Sequence, residues 1–271
     1  TRDGAETIGK TIDSILYQSI PPRFIVVVND GSSDKTEEII ERKVKSFDKI
    51  HLLNTGSKTR DIRKLPRLFN LGLDYSCNFP KVPFMLVSGD DNELAETYVE
   101  RIIQNMIQDP KLAVASGDWS GTHGMWGEKT PHGGGRLVRT SFMDRVGARY
   151  PVAYGWETWL VYKAMQLGYS VKLFPDIRFR HLRPYQPSGL RDWGRAMYSL
   201  GYPTYFVLLR FAINFFMPSS GTQNRQNAII MLAAFLSGKL SPESLQGLLI
   251  EDRGLKNYVR YICTARLIRF L

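Results

Sequence analysis

Two acidic turns, each following an apolar segment, are the places where this sequence could do chemistry. PFMLVS (Pro83 to Ser88) runs into Gly89, Asp90 and Asp91, and FIVVV (Phe24 to Val28) runs into Asn29, Asp30, Gly31, Ser32, Ser33 and Asp34. Adjacent carboxylates repel, and a divalent cation offsets that repulsion while also binding phosphate oxygens. All-oxygen ligands favour Mg²⁺ or Mn²⁺ over zinc. The competing reading of Gly-Asp-Asp is a helix start, where the dipole favours acids. In the other turn Asp30 can accept a hydrogen bond from a nucleobase N–H, with Gly31 letting the chain pass close to a ligand. Its competing reading is a turn followed by a helix cap.

Both turns need a framework to bring them together. Ile8, Ile12, Ile15 and Leu16 recur at helical spacing until Pro21 and Pro22 stop the pattern. The run FIVVV is that of a strand buried on both faces. Asp34 with Glu37 predicts a capping box, and Ile39, Ile40 and Val44 supply the apolar face of the next helix. The alternation continues with a strand at 50–53, a helix at about 65–75, the strand before Asp90, a helix at about 94–108 and a strand at 112–116. This order predicts an α/β fold with a mostly parallel sheet flanked by helices, in which ligands bind beyond the carboxyl ends of strands. Gly117 to Gly135, with seven glycines in nineteen residues, reads as a long functional loop. RLVRTSFMDRVG and ETWLVYKAMQLGY restore short elements, and VKLF and IRFRHL read as two short strands. Beyond Pro187 the composition changes to apolar, aromatic and basic helices. The expected division is a nucleotide-binding and catalytic domain over 1–185 and a helical, basic, amphipathic segment over 186–271.

The chain has 271 residues, 43% of them apolar, and a formal charge of +10. From Asp176 to Leu271, 13 Lys and Arg stand against 5 Asp and Glu, so most of the excess lies in the last third. Anionic partners follow. No nucleic-acid motif accompanies the charge, and its coupling to apolar helices suits a lipid surface better than nucleic acid. Cys77 and Cys263 are too few and too far apart for a disulfide framework or a thiolate metal site. The run PTYFVLLRFAINFFMP, 16 residues with Arg210 inside it, falls short of the ~18 apolar residues that span a bilayer. There is no signal-peptide pattern. The opening TRDGAETIG reads like the exit of a strand, with a few residues expected in front of Thr1.

AETIGKTIDSILYQSIPPRFIVVVNDGSSDKTEEII resembles the opening of family 2 glycosyltransferases, and the resemblance covers about Thr1 to Leu182. It implies a GT-A (Rossmann-like) fold and an inverting transfer of a sugar from a nucleoside diphosphate, UDP or GDP, with Mn²⁺ or Mg²⁺ as cofactor. In that family the second aspartate of the first turn contacts the base, here Asp30, and Thr1 stands at the nucleotide-facing strand end. Asn29 replaces the first aspartate. The metal motif D-x-D-D is here Ser88, Gly89, Asp90, Asp91, which leaves Asp91 on the metal and Asp90 on the donor ribose or metal. A basic side chain before that strand contacts the donor, with Arg63, Lys64 and Arg67 as candidates. The catalytic base of the E-D motif corresponds to Glu157, with Trp156 in place of the first acid and Gly168 and Tyr169 in register. His181 takes the position from which a histidine meets the metal or diphosphate. Arg178, Arg180 and Arg183 nearby face either the diphosphate or water.

Trp119 and Trp126 belong to the glycine-rich loop, expected over the donor and acceptor sites, where they would stack on a sugar face or a lipid chain. RDWGRAMYSLGY resembles the region after the catalytic domain of lipid-acceptor transferases, and the absence of Q-x-x-R-W speaks against a processive synthase. The basic C-terminal helices suggest a membrane-surface or homodimer contact, hence a lipid-linked acceptor and a peripheral site at the cytoplasmic membrane face. The rivals are a sugar nucleotidyltransferase, an inactive family member, which Ser88 and Trp156 allow, and a protein that only binds anionic surfaces.

Overall fold

The computed structural model describes residues 1–56, 64–119, 130–184, 190–217 and 225–270. They divide into two compact units: Thr1–Asp61, Arg67–Arg149 and Leu167–Tyr185 form one, and Ile62–Pro66, Tyr150–Gln166 and Gln186–Leu271 the other.

The first unit begins with α1 (Ile8–Leu16), β1 (Ile25–Asn29), α2 (Thr36–Ser46) and β2 (Ile50–Asn54). β1 and β2 pair in parallel, Ile25 opposite Ile50 and Asn29 opposite Asn54. Ile8, Ile12, Leu16, Val27, Ile40 and Ile50, one from nearly every turn of this segment, close into a common core. The expected capping box takes another form. Asp34 accepts the Thr36 N–H at 3.0 Å, whereas Glu37 accepts from the Asn54 amide at 2.7 Å instead of returning to the cap.

After α3 (Lys64–Ser76) come β3 (Phe84–Val87), β4 (Asn92–Leu94), α4 (Tyr98–Gln108), β5 (Leu112–Asp118), β6 (Arg136–Arg139), α5 (Thr140–Arg145) and β7 (Ser170–His181). These strands form one sheet in the order β3-β6-β5-β7-β4. The expectation of a mostly parallel sheet needs correction: β5 and β7 are parallel, but β3–β6, β6–β5 and β7–β4 are antiparallel. The fold is α/β with a mixed sheet and flanking helices. The physical reason is that β4 and β6 are only three and four residues long and take partners, β7 and β3, far away in the sequence, so that nothing within them announces the strand direction. VKLF and IRFRHL, read as two strands, are one. β7 pairs first with β5 and then, past an irregularity between Phe174 and Arg178, with β4. Tyr98, Ile102 and Met106, spaced along one face of α4, pack on Leu112, Ala115, Leu137, Phe174 and Ile177 of the sheet.

The second unit is helical, with α6 (Trp156–Gln166), α7 (Leu190–Ser199), α8 (Thr204–Phe216), α9 (Arg225–Leu240) and α10 (Arg253–Phe270). Gly194 of α7 lies against the α9 backbone, where a Cβ would stand 2.3 Å from the Met231 carbonyl oxygen. α8 and α9 run antiparallel, tied at one end by Arg225 Nε donating to the Phe215 carbonyl (3.1 Å) and at the other by Lys239 Nζ donating to Thr204 Oγ1 (3.0 Å). Lys163 of α6 is paired with Asp252 at 2.6 Å. Among the described residues no helix is long and apolar enough to cross a membrane. Cys77 is exposed and Cys263 buried, both as free thiols, and burial pushes the Cys263 thiol up to about 12.

Candidate active site

The end of β1 carries the first acidic turn. Thr1 lies alongside it, its nitrogen donating to the Val28 carbonyl (2.7 Å) and its carbonyl accepting from Asp30 N–H (2.9 Å). Asp30 is 4% exposed, yet its carboxylate keeps polar company: Thr55 Oγ1 donates to Oδ1 at 3.0 Å, and the Arg2 guanidinium stands 3.8 Å from Oδ2. Asn29 turns inward, donating to Asn54 Oδ1 (2.9 Å) and accepting from Ser32 Oγ (2.6 Å). An amide can do both where a carboxylate can only accept, which accounts for asparagine at that position.

Thr1 also bridges the two acidic turns. Its hydroxyl donates to Asp90 Oδ2 at 2.5 Å, and Arg183 reaches the same oxygen at 2.9 Å while donating to Thr7 Oγ1 at 3.0 Å. Gly4 is pressed against this cluster, since a Cβ there would lie 2.6 Å from Thr1 Oγ1 and 2.7 Å from Asp90 Oδ2. The backbone of Asp90 is fixed by Thr11 Oγ1, which donates to its carbonyl at 2.9 Å.

Asp91 points elsewhere. Strand register decides its partner: Asn92 of β4 stands opposite His181 of β7, and Leu182 N–H donates to the Asp91 carbonyl at 2.7 Å. His181 Nδ1 consequently lies 3.5 Å from Asp91 Oδ2. The interaction with His181, against a smaller opposing effect of burial, holds the Asp91 carboxyl below the usual carboxylate range. Two adjacent aspartates thus serve two clusters, Asp90 with Thr1 and Arg183, Asp91 with His181.

The Asp91–His181 pair fits a divalent cation in its donor chemistry, a hard oxygen beside a borderline imidazole nitrogen. Among the described residues no group of three His, Cys, Asp or Glu side chains forms a complete metal cage. Two protein donors leave most of an octahedral shell to a ligand such as a diphosphate, the arrangement typical of Mg²⁺ and unlike a closed zinc site.

Beyond His181 the site continues through residues the acidic motifs did not announce. Trp119 meets His181 edge-on at 4.8 Å between ring centroids, and His132 lies 6.0 Å from Trp119. Asp118, at the end of β5 and fully buried, is approached by His132 Nε2 at 3.2 Å (Oδ1) and by Arg178 at 3.8 Å (Oδ2). Tyr98, also fully buried, donates its hydroxyl to the Gly135 carbonyl (2.6 Å) and accepts from Gly117 N–H (2.7 Å), so it ties the end of β5 to the glycine segment. Asp118 was hidden in the sequence because it is a lone acid. The signal that could have found it is its place at the carboxyl end of a strand.

The other expected residues stand on other elements. Lys64, half-buried, and Arg67, exposed, stand in the first turn of α3, while Arg63 and Trp126 lie outside the described residues. Arg180 pairs with Glu93 across β7 and β4. Glu157 is the second residue of α6, exposed, between the buried Trp156 and Trp159. Gly155, at φ +82°, makes the sharp entry to that helix, and Trp156 packs edge-on against Tyr150 (5.0 Å).

The family model for glycosyl transferase family 2 matches residues 1–147, which hold both acidic turns and the whole of β1 to β6. The chain belongs to that family. Its activity is therefore that of a glycosyltransferase, and the nucleotidyltransferase alternative falls away. Among solved structures, this glycosyltransferase is similar to the mannosyltransferase PcManGT from Pyrobaculum calidifontis, described in complex with GDP-Man and Mn²⁺. That match has 15% identity and a TM-score of 0.59 over 99% of this chain and 84% of the other. It is also similar to residues 1–349 of S. aureus TarS in complex with UDP, with 15% identity and a TM-score of 0.53 over 89% of this chain and 70% of that one. At such identities the likeness is one of fold. No curated protein matches the chain.

Proposed function

We propose that this glycosyltransferase moves a sugar from a nucleoside diphosphate, UDP or GDP, to an acceptor hydroxyl or phosphate with inversion, and that it uses Mn²⁺ or Mg²⁺. The observation that carries the reading is the separation of Asp90 and Asp91 into two polar clusters at one edge, beside Asp30. Asp30, buried beside Thr55 and Arg2, accepts from the base N–H, and Thr1 and Asp90 hold the ribose. Asp91 and His181 would hold the cation together with the diphosphate, and a cation bound there stabilises negative charge on the departing diphosphate. Arg183 adds a fixed positive charge next to Asp90 and screens the two carboxylates from each other. Lys64, Arg67 and Arg63 are the candidates for the outer phosphate. Support from known proteins is that relatives of this fold bind GDP-Man with Mn²⁺ and UDP.

Glu157 is the base in this reading. It stands exposed in the first turn of α6, and its carboxylate takes the acceptor's proton as that oxygen attacks the anomeric carbon. Trp119, edge-on to His181, borders the donor in this reading.

The finer proposal for the acceptor is a lipid-linked one, reached from the membrane surface through the segment 186–271. Tyr205, Leu208 and Phe216 on α8 and Ile229, Ile230 and Leu240 on α9 are exposed, with Arg225 and Lys239 at the two ends of α9. Apolar faces bounded by cations suit an interface with anionic headgroups. A homodimer formed through the same helices is the competing use of that surface. Vesicles rich in phosphatidylglycerol should retain the protein at low salt, and Leu208→Glu with Ile230→Glu should release it. Equal retention by neutral vesicles, or none by either, would remove the membrane half of the proposal.

The donor half is tested by thermal shift with UDP- and GDP-sugars, with Mn²⁺ or with EDTA. A donor at 100 times its Kd adds ~2.7 kcal/mol of stability. A shift that needs Mn²⁺ and one nucleotide supports the site. Absence of any shift with folded protein would defeat it and favour an inactive family member.

A further inference from the structure

A line of neighbouring polar and aromatic groups runs through the first unit. It starts at Asp30, whose N–H binds the Thr1 carbonyl, and passes from the Thr1 hydroxyl to Asp90 and along the backbone to Asp91 and His181. From His181 it continues to Trp119 at 4.8 Å, from Trp119 to His132 at 6.0 Å, and from His132 to the carboxylate of Asp118 at 3.2 Å. The proposed function accounts for the line as far as His181. A nucleoside diphosphate sugar is longer than that: its sugar follows the second phosphate.

We propose that Trp119, His132 and Asp118 form the subsite for the transferred sugar, an inference that rests on the donor reading of Asp30, Asp90 and Asp91. Asp118 is fully buried. A carboxylate taken out of water is costly unless hydrogen-bonded; Arg178 stands 3.8 Å from one oxygen of Asp118, and the other is met by the His132 imidazole, whose side chain is 29% exposed. The pairing does two things to that ring. It makes Nε2 the donor, so that in the neutral tautomer Nδ1 is an acceptor able to take a sugar hydroxyl. It also locks the ring in one orientation, as an outer carboxylate does for a ligating histidine. Burial pulls the His132 imidazole below its ordinary value, with Asp118 pulling the other way, which keeps the neutral form in place at neutral pH.

The backbone around His132 is held as firmly as its ring. Its N–H donates to Ser116 Oγ at 2.8 Å, and the buried Arg136 guanidinium donates to the carbonyls of His132 (2.9 Å) and Pro131 (3.2 Å). Gly134 then presses onto Asn92, the residue after Asp91, where a Cβ would stand 2.8 Å from the amide nitrogen. The segment carrying His132 is therefore seated against the strand that begins beside the proposed metal ligand. Trp119, half-buried between the two imidazoles, supplies an aromatic ring of the kind on which the C–H face of a pyranose stacks. An acceptor nitrogen, an aromatic face and a rigid support are the components of a site that orients a sugar rather than a phosphate.

The test compares affinities for UDP with UDP-N-acetylglucosamine, and for GDP with GDP-mannose, by calorimetry with Mn²⁺. It uses the native chain and the variants His132→Ala, His132→Gln and Asp118→Asn. Each variant should bind the free nucleoside diphosphate within twofold of the native chain, but lose on the order of tenfold in affinity for the cognate sugar nucleotide. His132→Gln guards against misfolding, since it keeps a group that can donate to Asp118. Sugar nucleotide affinity unchanged in a folded His132 variant overturns the subsite, and so does an equal loss for diphosphate and sugar nucleotide. Failure of the native chain to bind either diphosphate would instead overturn the donor reading itself.

Discussion

Replacing Tyr98 by Phe should destabilise the first unit by an amount that the structure sets. The hydroxyl makes two hydrogen bonds inside the protein, accepting from Gly117 N–H and donating to the Gly135 carbonyl, and the whole side chain is buried. Burial also pushes the phenol far above its ordinary value, so the group acts as a neutral bridge at any working pH. Removing the oxygen leaves one buried donor and one buried acceptor without that partner, at about 1–3 kcal/mol each. Water will not restore them, because the space left by one hydroxyl is smaller than the ~30 Å³ share of a water molecule. The expected loss is about 2–6 kcal/mol, read as a lower urea midpoint at unchanged slope. In a melt it corresponds to roughly 4–24 °C, at about 2–4 °C per kcal/mol for a domain of this size. A loss below about 0.5 kcal/mol would refute the argument. It would mean that the strand end and the glycine segment find each other without the bridge.

Four further outcomes are expected. Asp91→Ala should abolish turnover and the Mn²⁺-dependent part of donor binding, and a variant with near-native turnover would take the metal away from Asp91. Glu157→Gln should leave donor affinity intact and lower kcat by at least about 10²-fold; retained transfer would reject it as the base. Gly4→Ala should weaken donor binding, because its Cβ would fall 2.6 Å from Thr1 Oγ1 and displace the bridge to Asp90, and unaltered affinity would show that the bridge is dispensable. Lys163→Met should destabilise at pH 7 and progressively less in acid. Burial works to raise the Asp252 carboxyl, but Lys163 and the Leu255 N–H outweigh it and hold it below its ordinary value. A depressed carboxyl stabilises above about pH 4 and loses that contribution as pH falls through its folded value. The gap between the two proteins should therefore close below about pH 4 in urea titrations, and a gap independent of pH would rule the pair out as its source.

What the sequence revealed about this site was whatever depends on neighbours along the chain. Asp90 and Asp91 advertised themselves as a pair after an apolar run, and Asp30 lay in a turn of known type. The helix of Ile8, Ile12 and Leu16 and the strand of Val27 were legible because each buries its own periodic face. Strand direction was not legible. β4 and β6 are three and four residues long, too short for an alternation to develop, and their antiparallel pairing is settled by partners far away in sequence. The same distance hid the union of VKLF with IRFRHL, where Pro175 and Asp176 look like a break but fall within a strand that changes partners. His132 and Asp118 are fourteen residues apart, with one half-exposed ring as the only outward sign. Their meeting depends on a tyrosine and two glycines that carry no chemistry of their own.

The changeover in β7 has a consequence for how the length of this protein can vary in evolution or in the laboratory. Between Gly117, opposite Phe174, and Asp118, opposite Arg178, the partner strand spends extra residues that nothing on β5 answers. An irregularity of that kind can gain or lose a residue by changing its bend. Past Arg178 there is no such slack, since Phe179, Arg180 and His181 are each matched to a residue of β4. One residue added there would turn His181 to the opposite face of the sheet and bring its neighbour to Asp91. A scan of single-residue insertions along β7 should accordingly find tolerance confined to 175–177, between the residues matched to β5 and those matched to β4. That gap separates the part of the strand that builds the sheet from the part that aims a side chain.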